Sequence, residues 1–290
     1  MTPESALRAD IVEVGRRMYA RGYTASNDGN ISVRLGSDRL VMTPKIVCKG
    51  FMTPDMMCIT DLDGTKLQGD RDPSSEMLMH LEVYRQRPDV QAVVHAHPPT
   101  ATGFAVAGIP LDRAVLAEVL TTLGSIPIAE YATPSTRELP DAVRKYIKAH
   151  DGMLLANHGA LTVGVDLYAA YYKMETIEHF AKISLVARLL GRENLISRDE
   201  VLRLQELRGT YGITAPAPIC ADPSTELGAG DLTDPATCQV VQAPAGDGAR
   251  LVPNAVRRAV ETAQHNDEGE IRLTYRELSA LIEDAVKSLR

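Results

Sequence analysis

Pro73-Ser-Ser-Glu76-Met-Leu-Met-His-Leu-Glu-Val-Tyr-Arg-Gln-Arg-Pro-Asp-Val90-Gln-Ala-Val-Val-His95-Ala-His97-Pro98-Pro99 holds a helix signal and a strand signal back to back. Ser74 and Ser75 read as N-cap residues, which puts Glu76 in the first turn of a helix over residues 76–85, where the dipole favours negative charge. Residues 90–97 are β-branched and apolar, then stopped by two prolines, and read as a strand ending at a sheet edge. Alternate residues of a strand share a face, so His95 and His97 project together, about 7 Å apart at the backbone. One metal ion could take a ring nitrogen from each.

A third histidine, His158, lies in the apolar run 152–163, read as another strand, beside Gly159, which would let a ligand approach closely. Three neutral imidazoles, the Glu76 carboxylate and an open coordination position describe a catalytic zinc site. A lone histidine on an apolar strand is more often a hydrogen-bonded core residue, so the case rests on the group.

The 290 residues are long for one domain, and 44% hydrophobic with 24% charged residues is the balance of a globular protein. A net charge of −7 argues against generic binding to nucleic acid or to an anionic membrane. The N-terminus has no apolar signal and no run reaches the length of a membrane span, so a cytoplasmic protein is expected. Cys48, Cys58, Cys220 and Cys238 form no CxxC pair and read as reduced thiols without a metal role.

Along the chain, residues 2–21 read as an amphipathic helix capped by Thr2 and stopped at Gly22. Gly29-Asn30 enters a strand over 31–35 and is either an anion-binding turn or an ordinary tight one. Strands at 39–43 and 56–60, with a hairpin signal at Asp63-Gly64, continue an antiparallel meander. Helices are expected at 99–107, 113–123, 139–149 and 166–190, and a strand at 126–131. From 214 to 250 the chain has eight Ala, five Pro and four Gly without periodicity, which reads as a linker. Beyond it, 254–264 and a helix opened by the capping box Thr274-Tyr-Arg-Glu277 form a helical tail.

Gly29-Asn30-Ile-Ser-Val-Arg, Ser74-Ser75-Glu76, Arg87 through His97, Tyr131-Ala-Thr-Pro-Ser-Thr-Arg-Glu-Leu and Asn157-His158-Gly159 together resemble the class II aldolase/adducin family, above all its zinc-dependent L-fuculose-1-phosphate aldolases. The likeness covers about residues 5–212. It implies an α/β fold with a central, mainly antiparallel sheet flanked by helices, in a homotetramer with sites between subunits. The expected division is a family domain over 1–212, a linker over 213–252 and a helical extension over 253–290.

The resemblance implies that His95, His97 and His158 bind Zn²⁺, and that Glu76 lies at the metal as ligand and proton carrier. It implies that Gly29, Asn30, Ser74 and Ser75 hold the phosphate of a sugar substrate. The implied reaction cleaves a deoxyketose 1-phosphate, such as L-fuculose or L-rhamnulose 1-phosphate, to dihydroxyacetone phosphate and an aldehyde through a metal-stabilised enediolate. Decarboxylating, dehydrating and 4-epimerising relatives, or a non-catalytic adducin-like scaffold, are the alternatives.

Two departures stand out. Thr43-Pro44-Lys45-Ile46 replaces the family's Thr-Gly or Ser-Gly after Thr-Pro, with Lys45 either a phosphate ligand or a solvated loop residue. Leu116 stands where a tyrosine serves the aldehyde, while a C-terminal tyrosine is matched by Tyr211. The tail resembles segments that address enzymes to bacterial microcompartment shells, or else it packs on its own subunit or a neighbour.

Overall fold

The computed structural model describes residues 3–211 and 213. One sheet of eight strands organises them: β1 (Asn30–Leu35), β2 (Arg39–Met42), β3 (Cys58–Asp61), β4 (Lys66–Gln68), β5 (Ala92–Ala96), β6 (Ile128–Ala129), β7 (Gly152–Leu155) and β8 (Gly159–Gly164). Their order is β4-β3-β2-β1-β5-β8-β7-β6, and every pairing is antiparallel except β6 with β7. Seven α-helices accompany it: α1 (Pro3–Ala20), α2 (Met77–Gln86), α3 (Pro99–Ala107), α4 (Ala117–Thr122), α5 (Glu138–Ile147), α6 (Leu167–Leu189) and α7 (Arg198–Thr210). This is the mainly antiparallel, helix-flanked sheet that the family resemblance implies.

Strand alternation sorts the core into two layers. Val94 and Ala96 of β5 pack with Ile11, Val14 and Met18 of α1 and with Tyr171, Met174 and Ile177 of α6. Val93 faces the other way, into Met79, Leu81 and Val83 of α2 and Val143, Tyr146 and Ile147 of α5. His95 shares the parity of Val93, so it points to the side on which α2 begins.

Several elements differ from expectation. The strand foreseen at 126–131 shrinks to two residues, because Pro127 has no N–H and only its carbonyl joins the sheet, accepting from Leu154. The helix foreseen at 113–123 starts at Ala117, since Leu116 is extended and Leu111 instead bridges to Ile126. Pro54 turns residues 54–56 into a 3-10 turn and delays β3 to Cys58. The apolar run 152–163 is a hairpin rather than one strand. α7 was not foreseen, although Ser197, whose hydroxyl accepts from Glu200 N, carries its cap signal.

The Thr2 cap, most of the linker, the helical tail and any shell contact made through it lie outside the described residues. Among the described residues, no helix is long and apolar enough to cross a membrane.

Candidate metal centre

Three neighbouring strands and one helix start supply the site. β5 carries His95, with His97 just past its end, and β1 pairs with it so that Asn30 lies opposite His95. β8 flanks the other side, and the β7–β8 turn delivers His158 through Asn157, whose φ is 55°. His158 therefore stands in a tight turn, not on a strand. Gly159 makes room for protein rather than ligand: a Cβ there would sit 2.5 Å from the Ala96 carbonyl oxygen and 2.6 Å from His97 Cδ2. Gly29 has φ +71°, and a Cβ would fall 2.8 Å from the His95 carbonyl oxygen.

Glu76 is the N-cap residue of α2 rather than a member of its first turn, with φ −98° and ψ 17°. Its backbone N–H donates to Ser74 Oγ at 3.3 Å. Released from the helix, its carboxylate reaches the histidines: Oε2 lies 3.4 Å from His95 Nε2 and Oε1 3.2 Å from His158 Nε2.

One ligand atom from each of His95, His97 and His158 lies within 4.8 Å of the others. The outer ring nitrogens explain which inner ones are bare. His95 Nδ1 donates to the Ala160 carbonyl at 2.9 Å, and His97 Nδ1 faces Asp28 Oδ2 at 3.3 Å. Both Nε2 atoms are then acceptors, yet they stand 3.1 Å apart. Two lone pairs at that distance repel unless a cation or a shared proton lies between them. Glu76 Oε1 and His158 Nδ1 are also buried without a hydrogen bond. Three imidazoles with an outer-shell carbonyl and carboxylate form a donor set that fits a divalent cation of the zinc type.

Burial pushes the His95 ring well below its ordinary range and lowers His97 as well, with His158 adding repulsion in both. Burial works against ionised Glu76, but the imidazoles and the Asn30 amide outweigh it and hold the carboxyl below the usual carboxylate range. Neutral rings beside a carboxylate are the protonation states a metal ion requires.

The residues assigned to phosphate are placed unevenly. Ser74 is buried, Ser75 is exposed, and both stand at the start of α2. Asn30 is 3% exposed, and its amide spans Glu76 Oε2 at 2.8 Å and His80 Nε2 at 2.5 Å. Lys45 is half exposed and paired with Asp72 at 2.8 Å. Tyr211 ends α7 at 66% exposure, on a helix packed against α4. Leu116 lines a separate cavity of about 810 Å³ with Arg21, Glu118 and His179.

Sequence reading missed Lys49 and His80. Lys49 is 1% exposed, and its ammonium donates to the Asn27 and Val47 carbonyls at 3.0 and 2.7 Å, tying the loop before Asn30 to the loop after Pro44. Burial brings it from 10.5 down to about 8. Below pH 8 the folded and unfolded chains both carry the proton, and the cost of burying the charge is undiminished. Between pH 8 and 10.5 the folded chain releases it first, so stability rises with pH, by up to about 3 kcal/mol. Denaturant titrations of wild type and Lys49→Met across that window should show the difference moving toward wild type as pH rises.

Ile46 is a β-branched residue at φ 56°, with its side chain 78% exposed. The left-handed conformation costs such a residue about 1–2 kcal/mol, and no buried contact compensates. Ile46→Gly, though it loosens the unfolded chain, is expected to raise unfolding stability by about 0.5–1 kcal/mol in thermal or urea melts.

The family described as "Class II Aldolase and Adducin N-terminal domain" matches residues 9–185. A 3-oxo-tetronate 4-phosphate decarboxylase of Pectobacterium atrosepticum is 30% identical, covering 70% of this chain and 94% of its own. A 5-deoxy-D-ribulose 1-phosphate aldolase of Bacillus thuringiensis serovar kurstaki is 34% identical, covering 71% and 96%. Among solved structures, an L-fuculose 1-phosphate aldolase superposes with a TM-score of 0.65 at 30% identity, covering 69% of this chain and 95% of the other.

Proposed function

Because the chain belongs to the class II aldolase and adducin family, we propose that it is a zinc-dependent lyase that cleaves a deoxyketose 1-phosphate, such as L-fuculose or L-rhamnulose 1-phosphate, to dihydroxyacetone phosphate and an aldehyde such as lactaldehyde. The observation that carries this reading is the grouping of His95, His97 and His158, one ring nitrogen of each within 4.8 Å of the others, with the Glu76 carboxylate 3.2–3.4 Å from two of the rings.

His95, His97 and His158 would hold the zinc, with Glu76 beside it as a further ligand. When bound, zinc supplies a Lewis acid that stabilises negative charge growing on the substrate's carbonyl and neighbouring hydroxyl oxygens. Glu76 manages the proton. Breaking the carbon–carbon bond releases the proton of the hydroxyl that becomes the aldehyde and leaves a pair of electrons on the carbon next to the carbonyl. Glu76, ionised at rest, takes up one proton and passes it to that carbon, so that none is gained or lost overall. The phosphate falls to Gly29, Ser74, Ser75 and the start of α2, where the helix dipole favours an anion. Asn30 has a second amide hydrogen for it, and Lys45 stands at the rim, its charge answered by Asp72. In a homotetramer with sites between subunits, the exposed Tyr211 serves a neighbour's site, where its hydroxyl handles the aldehyde end.

A decarboxylase acting on a phosphorylated 3-oxo acid is the second reading, favoured by Leu116 in place of the aldehyde-side tyrosine and by the decarboxylase among the relatives. Loss of carbon dioxide leaves the same carbon needing the same proton, so Glu76 keeps its role. A panel of ketose 1-phosphates assayed for dihydroxyacetone phosphate, beside 3-oxo-tetronate 4-phosphate assayed for carbon dioxide, separates the two. Chelator-sensitive triose phosphate from a ketose 1-phosphate is the expected result. Carbon dioxide from the 3-oxo acid, with no triose phosphate from any ketose 1-phosphate, would transfer the assignment to the decarboxylase, and no product from either substrate with zinc-loaded protein would overturn both.

A further inference from the structure

His80 is fully buried one turn along α2 from Glu76, and each of its ring nitrogens meets one partner. Nε2 lies 2.5 Å from Asn30 Oδ1 and Nδ1 lies 2.7 Å from Ser32 Oγ. The directions of these bonds follow from the far end of the chain. An ionised carboxylate only accepts, so the Asn30 atom 2.8 Å from Glu76 Oε2 is the amide nitrogen. The amide oxygen therefore faces His80, and the ring nitrogen that meets it carries the hydrogen. Nδ1 is then the acceptor, served by the Ser32 hydroxyl. Tyr84 closes the series by donating its hydroxyl hydrogen to the Ser32 carbonyl at 2.9 Å. From Ser32 onward every donor points toward Glu76.

The two carboxylate oxygens end up in different situations. Oε2 is held by Asn30, whereas Oε1 is buried without a hydrogen bond, 3.2 Å from His158. Building on the lyase reading above, we propose that His80 is a positioning residue for Glu76: its Nε2–H fixes the orientation of the Asn30 amide, which pins Oε2 and leaves Oε1 as the oxygen that exchanges the proton. A ring protonated on both nitrogens could not accept from Ser32, and burial brings the His80 ring down to about 4, so it is neutral at neutral pH. A flipped Asn30 amide would set an acceptor against an acceptor at Glu76, and the His80 hydrogen blocks that flip by demanding the oxygen on its own side.

Two variants and one spectrum test the assignment. His80→Gln keeps an N–H near the position of Nε2, whereas His80→Leu removes it. With the zinc-loaded full chain, His80→Leu is expected to lower kcat about 10- to 100-fold with KM and zinc content nearly unchanged, and His80→Gln to recover most of the loss. Equal losses in the two variants would assign His80 to packing and overturn the proposal. Independently of any substrate, solid-state NMR of ¹⁵N-histidine-labelled holoprotein should show one ring, absent from the His80→Gln spectrum, protonated on Nε2 and bare at Nδ1. The opposite tautomer overturns the proposal even if activity follows the expected pattern. Because the spectrum needs no turnover, it tests the His80 tautomer, and with it the orientation of the Asn30 amide, separately from the lyase reading.

Discussion

Glu76→Gln is expected to lower turnover by about 10²- to 10⁴-fold, the range that a positioned general acid or base contributes, while leaving zinc at one per chain. Glutamine preserves the shape, and its amide oxygen still accepts from the Asn30 amide at the 2.8 Å contact. What it removes is the basic oxygen among the histidines, so a proton cannot be taken up and returned. The measurement is steady-state release of dihydroxyacetone phosphate alongside metal analysis of the same preparation. Activity within a few-fold of wild type would remove Glu76 from the chemistry. Activity falling only in proportion to lost zinc would leave it as a ligand alone.

Removing the metal should have the second large effect, on stability as well as on activity. An ion that binds only the folded chain stabilises it by RT ln(1 + [L]/Kd), about 4 kcal/mol at a thousandfold excess over Kd. Chelation is therefore expected to abolish activity and lower the unfolding midpoint together. His95→Ala should do both without chelator, and cost a further roughly 1–3 kcal/mol because the Ala160 carbonyl loses its 2.9 Å donor in a buried place. The decisive comparison is the variant with and without chelator. A chelator effect that persists undiminished in His95→Ala would place the metal elsewhere. Protein that purifies without zinc and is indifferent to both treatments would fit the non-catalytic scaffold instead.

Much of the architecture was legible because its signals are local. The β-branched apolar run at 90–97 and its proline stop, and Asp166, whose side chain accepts from Ala169 N at 2.7 Å where α6 begins, each lie within a few residues of the element they specify. The His-x-His pair was legible for the same reason, since strand geometry alone puts both rings on one face. Legibility failed where two signals compete. Pro127 cut short a strand that its neighbours favour, and Asn157 broke an apolar run into a hairpin by taking the left-handed conformation.

The chain's residue order alone thus indicates an antiparallel meander near the start, the pair His95 and His97 at a strand end, and a carboxylate at a helix start; the whole helix-flanked sheet was expected only through the family resemblance. Tertiary structure decides what those groups do to one another. Asn30 meets His80 across fifty residues, Ser32 meets Tyr84 across fifty-two, and His158 reaches Glu76 only because β8 pairs with β5. Lys49 looks like a surface residue in the sequence and is buried because two loops close over it. No periodicity encodes these pairings. A hydrogen bond between distant residues depends on sheet register and on which face each strand turns inward, and both are settled only when the whole core packs.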